Sequence, residues 1–174
     1  MSAFAPQDWL DHPRIVPSLV IGISLSALAI AYASQAWGGL QPCVLCIYQR
    51  YAYGIAFAFG LLGLALSRNA KAKRLFVALA GLAFLGGGAT AGFHIGVEQH
   101  WWQGTAECHA PVFDPTASPE ELRKLMLDTT FVPCDEIPWS LLGISMAGYN
   151  FLVSLALALG CFWAARRMSG RPAA

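Results

Sequence analysis

Residues Ile15 to Ala36 read IVPSLVIGISLSALAIAYASQA, 22 residues without a charge. A helix that crosses a bilayer needs about 20 mostly apolar residues, so this stretch decides the class of the chain. Working outward, three more stretches qualify. One runs from about Cys46 to Leu66 with Arg50 as its only charge, one from about Leu75 to Val97 with His94 and no permanent charge, and one from about Ser140 to Ala165. Each is expected to be helical, because hydrocarbon offers no partner for an open backbone group. The composition agrees. Of the 174 residues 56% are hydrophobic and only 12% charged, and the net charge is +1. That balance excludes a disordered chain and an ordinary soluble domain, and it disfavours a nucleic-acid binder, which needs a basic surface. The fold predicted is all-α: a transmembrane four-helix bundle forming one membrane domain over residues 1–174, with outer loops at 37–45 and 98–139.

Charge placement orients the spans. The loop Ser67 to Arg74 carries Arg68, Lys71, Lys73 and Arg74, and the C-terminal tail carries Arg166, Arg167 and Arg171. The long loop Glu98 to Trp139 holds eight acids against Arg123 and Lys124. By the positive-inside rule both termini and the basic loop face the cytosol, and the two remaining loops face outward. Trp37, Trp101, Trp102 and Trp139 then fall at the outer ends of the spans, as an aromatic belt does. The start, MSAFAPQDWLDHPR, has acids before the first apolar run and no basic opening, so no cleavable signal peptide is expected.

Four of the five cysteines fall on that outer side, where disulfides persist. Cys43 and Cys46 form a C-x-x-C within QPCVLCIYQR; Cys108 and Cys134 lie 26 positions apart in the long loop. Two loops with an even number of cysteines suggest two pairs. Pro42 suits the first turn of a helix. Cys43, Cys46 and Arg50 then stand at i, i+3 and i+7, on one face. A thiolate at Cys46 would feel both the positive helix end and the Arg50 guanidinium. Arg50 also lies about four residues inside its span, roughly 6 Å deep at 1.5 Å per residue, where an ionised side chain points to function. A static Cys43–Cys46 disulfide is the plain alternative, but it closes a very small loop and stabilises little. A zinc site would need Cys43, Cys46, Cys108, Cys134 or His109 to converge, and the second pair lacks the short spacing of common zinc ligands; no metal is expected. Cys108 and Cys134 by themselves read as a loop staple; beside a redox C-x-x-C they read as the second stage of a relay. Cys161 reads as a small apolar filler.

A C-x-x-C that oxidises an external dithiol needs an outlet. A thioredoxin-like pair at about −270 mV is uphill by roughly 7 kcal/mol from a strongly oxidising exported dithiol at about −120 mV. The chain carries no flavin or nucleotide fingerprint, so a membrane-soluble acceptor is implied, and quinone is the obvious one. Arg50 would donate to a quinone oxygen. His94, near the outer end of the third span, is a second candidate contact; the bland reading is a helix-end histidine bonded to a carbonyl. A haem between two histidines is disfavoured, since only His94 lies in a span. Gly88, Gly92 and Gly96 on the same helix form overlapping G-x-x-x-G motifs that let a partner helix come close.

In the long loop, TASPEELRKLMLD has a strong helix start: Ser118 caps, Pro119 takes the first position, and Glu120 and Glu121 face the positive end. Leu122, Leu125 and Met126 make one apolar stripe, so a short helix on the bilayer surface or on top of the bundle is expected. Pro111 and Pro115 before it suggest an extended segment that a partner protein could grip.

CVLCIYQR opening the second of four spans, the cysteine pair in the second outer loop and PWSLLGI before the fourth span together resemble the DsbB family of quinone-linked thiol oxidases. The resemblance covers nearly the whole chain. It implies a four-helix transmembrane bundle in the bacterial inner membrane that reoxidises a periplasmic DsbA-like thiol oxidase and passes two electrons to the quinone pool, as ubiquinone or menaquinone. Cys108 would be attacked by the reduced partner, Cys134 would move to Cys43, and Cys46 would be left as the thiolate that contacts the quinone. Arg50 would hold and polarise the quinone, with His94 near it. Gln49 occupies a position where some members carry glutamate. The rival readings are a vitamin K epoxide reductase-like protein, whose C-x-x-C follows the loop cysteines rather than preceding them, and a helical membrane scaffold with static disulfides.

Overall fold

The computed structural model describes residues 12–108, 118, 120, 123 and 132–168. Four helices long and apolar enough to cross a membrane make up most of it: α1 (Ile15–Ala36), α2 (Val44–Ala65), α3 (Ala70–Glu98) and α4 (Met146–Arg167). The surface helix expected over TASPEELRKLMLD lies outside the described residues, apart from three isolated positions.

Local chemistry sets the helix starts. Cys43, not a residue inside the helix, caps α2, and Pro42 stands one position before the cap. Asn69 Oδ1 accepts from the Lys71 and Ala72 amides, so α3 begins five residues before the apolar run does and takes Lys71, Lys73 and Arg74 into its first turns. The expected start of the fourth span at Ser140 is corrected to Met146. Ser140–Leu141 (β1) pairs antiparallel with Ile144–Ser145 (β2) across Leu142 and Gly143. Both turn residues have positive φ, 52° and 77°, the pattern of a tight two-residue hairpin. A helix cannot run through two left-handed residues, so it starts after them, where Ser145 Oγ accepts from the Gly148 amide at 3.1 Å.

Helix α3 is the centre of the bundle. It packs along α2 on one side and α4 on the other, while α1 lies chiefly on α2. The core includes Val20, Tyr53, Ala56, Val77, Phe84 and Ala158, with Cys161 buried among them against Gly81. At the other end of the core, Arg74 donates to the Met168 carbonyl and ties the start of α3 to the end of α4. The glycines of α3 govern the approach of its neighbours. A Cβ on Gly87 would stand 2.8 Å from the Ala52 methyl of α2; on Gly88 and Gly92 it would press Ser154 and Phe151 of α4. Gly96 leaves room for the Trp102 ring.

Trp102 arrives there because α3 ends in a Schellman turn. His100 takes φ 59°, its amide donates to Val97 O at 3.0 Å, and the Trp101 amide donates to Gly96 O at 2.8 Å. The chain doubles back, and Trp102 stacks on Phe93 with ring centroids 5.8 Å apart. Its Nε1 donates to the Phe93 carbonyl at 3.0 Å. Gly87→Leu is expected to destabilise the protein by about 1–3 kcal/mol through overpacking. Gly86→Leu, one residue away with open space around it, should change stability little. Unfolding midpoints in detergent micelles would separate the two.

Candidate functional site

The site forms where α2 begins and α3 ends. Cys43, Leu45, Val97, Cys108 and Cys134 make one buried cluster, with Cys46 and Val132 packed against it. Both cysteine pairs therefore share a single apolar pocket of side chains. Cys108 and Cys134 are joined in a disulfide. Cys43 and Cys46 are free thiols with their sulfurs 3.2 Å apart. A short 3-10 turn, Ala106–Cys108, brings Cys108 in. Its Glu107 carboxylate accepts from Tyr48 OH of α2 at 2.8 Å, which pins the turn to that helix.

As the cap of α2, Cys43 receives what the helix end offers. Its sulfur accepts from the Cys46 amide at 3.4 Å. The hydrogen bond with the Cys46 thiol pulls the Cys43 thiol down to about 4, against the opposing effect of burial, and His94 lowers it further. The expectation of helix-end stabilisation at Cys46 thus meets a geometry in which the free amide points to Cys43.

His94 stands between the pairs. Its Nε2 lies 3.6 Å from Cys43 Sγ and 3.1 Å from the Cys134 carbonyl oxygen. The carbonyl can only accept, so Nε2 carries the proton. Cys43 Sγ, Cys46 Sγ and a His94 nitrogen lie within 4.8 Å of one another, a soft-donor set by composition. A histidine that ligates a metal must present a lone pair, however, and here the nitrogen facing the sulfurs is a donor. The arrangement is that of hydrogen-bonded thiols.

Arg50 points away from this cluster, toward α1. Its Nη1 donates to Gln35 Oε1 at 2.8 Å, its Nη2 donates to the Ala31 carbonyl at 3.1 Å, and its guanidinium lies 4.8 Å from the Tyr32 ring centroid. The structure therefore gathers Cys43, Cys46, His94, Cys108 and Cys134 in one place and sets Arg50 one turn beyond Cys46, on the α1 side.

Several polar residues around the cluster have no role that the sequence alone assigns. Gln49 Nε2 donates to His94 Nδ1 at 3.1 Å. Asn150 Nδ2 of α4 donates to Gln49 Oε1 at 2.5 Å. Tyr53 OH donates to Asn150 Oδ1 at 2.8 Å, and Ser154 Oγ to the same oxygen at 3.2 Å. Glu98, buried, has one carboxylate oxygen 4.0 Å from His94 Nε2 while the other accepts from Ser145 Oγ. A signal was present: Gln49 and Tyr53, Asn150 and Ser154, and His94 and Glu98 are each spaced by four, so each pair lies on one helix face.

A bundle of four spans with two cysteine pairs in one buried cluster is the architecture of a disulfide-generating membrane oxidoreductase. The family model for disulfide bond formation protein DsbB matches residues 13–164. The chain is 33% identical to Disulfide bond formation protein B of Stutzerimonas stutzeri (strain A1501) over 164 residues, 88% of this chain and 95% of that one. It is 34% identical to Disulfide bond formation protein B of Xanthomonas oryzae pv. oryzae (strain MAFF 311018) over 163 residues, 86% of this chain and 91% of the relative. No solved structure matches. The chain belongs to the DsbB family, and is a multi-pass, disulfide-forming membrane protein.

The Cys43 environment has a measurable consequence. In the reduced protein, alkylation of Cys43 by iodoacetamide should be half-maximal near pH 4 and level above it, because a lowered pKa keeps the thiolate populated down to that pH. An unperturbed thiol would be half-maximal near about 8.5. Site-resolved mass spectrometry over a pH series reads the difference.

Proposed function

We propose that the protein is a thiol:quinone oxidoreductase of the bacterial inner membrane, with both termini cytosolic and both cysteine loops periplasmic. It reoxidises a DsbA-like dithiol oxidase through Cys108–Cys134 and hands two electrons on through Cys43–Cys46. The observation that carries this reading is the shared burial of the two pairs, with the His94 N–H reaching the sulfur of one and the backbone of the other.

The exchanges balance. The partner's thiolate attacks the Cys108–Cys134 disulfide, and its second thiol completes the transfer, leaving Cys108 and Cys134 reduced. These reduce the Cys43–Cys46 disulfide in turn. Cys134 attacks Cys43 and Cys46 departs as the thiolate; Cys108 then attacks Cys134 of the Cys43–Cys134 disulfide, and Cys43 departs, which suits it because a sulfur with a low pKa leaves fast. Quinone, when bound, supplies the two-electron acceptor that takes up two electrons and two protons and so lets the Cys43–Cys46 disulfide re-form. Arg50 suits the quinone. Its guanidinium is held by Gln35, Ala31 and Tyr32, and those bonds use two of its five N–H donors. The remaining donors would be available to hold a quinone oxygen. Both His94 nitrogens meet protein groups, Gln49 on one and the sulfur and carbonyl on the other. Arg50 is thus left for the quinone and His94 for the thiols.

The test is anaerobic: purified protein, a reduced DsbA-like dithiol and a soluble quinone, with quinone absorbance followed over time. Wild type should reduce quinone, and Cys46→Ser and Cys108→Ser should each abolish the reaction. Loss in Cys46→Ser alone would reduce Cys108–Cys134 to a staple, and no reduction by wild type would sink the proposal. Arg50→Met should raise the quinone KM by roughly 10–100-fold, the loss of a charged hydrogen bond of about 1.5–3 kcal/mol, with thiol exchange between the pairs intact.

A further inference from the structure

Cys108 is buried in the apolar cluster, yet its sulfur meets a hydroxyl. Thr105 Oγ1 lies 3.6 Å from Cys108 Sγ. A disulfide sulfur has no proton to give, so the hydroxyl is the donor. The same two residues are joined a second time, because the Cys108 amide donates to the Thr105 carbonyl at 2.8 Å. Gly104 lets the chain close this tightly: a Cβ there would stand 2.6 Å from Cys108 Cβ and 3.0 Å from its sulfur. The contact is therefore local to one turn, and it goes with Cys108 through the exchange.

That exchange puts negative charge on the Cys108 sulfur twice. In the first step a partner joined to Cys108 closes its own disulfide. The partner's second sulfur loses its proton to water and bonds to the first, the bond to Cys108 breaks, and Cys108 departs with the electron pair. In the second step the Cys108 thiolate bonds to Cys134, the Cys43–Cys134 bond breaks, and Cys43 departs with the pair. The two electrons given up by the partner then reside on Cys43 and Cys46. A sulfur only 4% exposed has little water to carry such a charge. A hydroxyl that donates weakly to a disulfide donates strongly to a thiolate.

We propose that Thr105 is a catalytic residue of the loop pair: its hydroxyl donates to the Cys108 thiolate, both when Cys108 leaves the partner and when it attacks Cys134. The assignment rests on the reading of Cys108–Cys134 as the pair that exchanges with the partner. Other titratable groups surround Cys108 among the described residues. Glu107 is the nearest in sequence, and its carboxylate is turned to Tyr48 OH of α2. Cys43 and Cys46 come from the start of α2, His94 and Glu98 from the end of α3, and Cys134 from the loop itself. A change at position 105 leaves all of them in the chain and removes only the hydroxyl.

The experiment follows alkylation of Cys108 by iodoacetamide over a pH series, in full-length, reduced protein in micelles, by site-resolved mass spectrometry. Thr105→Val keeps the shape of the side chain without its donor, and Thr105→Ser keeps the donor. The valine variant should raise the Cys108 midpoint by about one unit, a tenfold weaker hold on the thiolate, and leave that of Cys43 in place. The serine variant should match wild type. Oxidised protein is then mixed with a reduced DsbA-like dithiol and quenched in acid. Here the valine variant should hold the mixed disulfide with Cys108 roughly 3–10-fold longer, because a thiol of higher pKa leaves more slowly. Equal Cys108 midpoints in wild type and Thr105→Val overturn the proposal. So does a serine variant that behaves as valine does, or a valine variant that moves Cys43 as far as Cys108, since either makes residue 105 a matter of packing. The alkylation series uses neither partner nor quinone. A Cys108 midpoint that moves in a protein unable to reduce quinone would fail the oxidoreductase reading alone, and an active protein with unmoved midpoints would fail only here.

Discussion

Gly87 and Gly88 bring the backbone of α3 against Ala52 of α2 and Ser154 of α4 with no side chain of their own in between. The polar chemistry of the protein depends on that closeness. Hydrocarbon gives a buried amide or hydroxyl no partner, and each one left alone costs free energy. Helices that touch can satisfy one another's polar groups; helices kept apart by larger residues cannot. Tyr53 and Gln49 from α2, Asn150 and Ser154 from α4 and His94 from α3 converge because α3 is slim where they meet. The contribution of any one such bond is modest, about 0.6 kcal/mol on average in membrane bundles. Together they give each of these buried polar groups a partner.

The two functions required at the end of the bundle are separated in space. Sulfur chemistry lies on the side of α3, inside the apolar cluster of Cys43, Leu45, Val97, Cys108 and Cys134. The permanent charge lies on the side of α1, where Gln35 and Tyr32 hold Arg50. Cys46 stands between, its sulfur 3.2 Å from that of Cys43 and its position one turn before Arg50. A cation placed within the cluster would have to be desolvated beside a disulfide; on the α1 side its head meets Gln35, the Ala31 carbonyl and the Tyr32 ring.

The bundle was legible in the sequence because apolar length is what the bilayer measures. Ile15–Ala36 came out with the bounds expected from its uncharged run. The other helices moved where local chemistry outranked hydropathy: Asn69 drew three basic residues into α3, and Leu142–Gly143 turned apolar sequence into a hairpin. The cysteines and Arg50 stood out by type and spacing. Glu98 and Asn150 did not, although each sits four residues from another polar group. Spacing along one helix tells which residues share a face, but not which face of which neighbour they meet. The polar ladder exists only between helices, and a single sequence carries no record of that pairing.

Ser145 fills two offices with one hydroxyl. Its oxygen accepts from the Gly148 amide to begin α4, and its proton goes to the buried Glu98 carboxylate that ends α3. A change to alanine at 145 would uncap one helix and take one partner from a buried carboxylate on another, while glutamine at 98 would alter what Ser145 must supply. Neither position can drift alone without loss. Across a lineage of such chains the two sites should change as a pair, and an inheritance of that kind would record a helix contact that no single sequence can show.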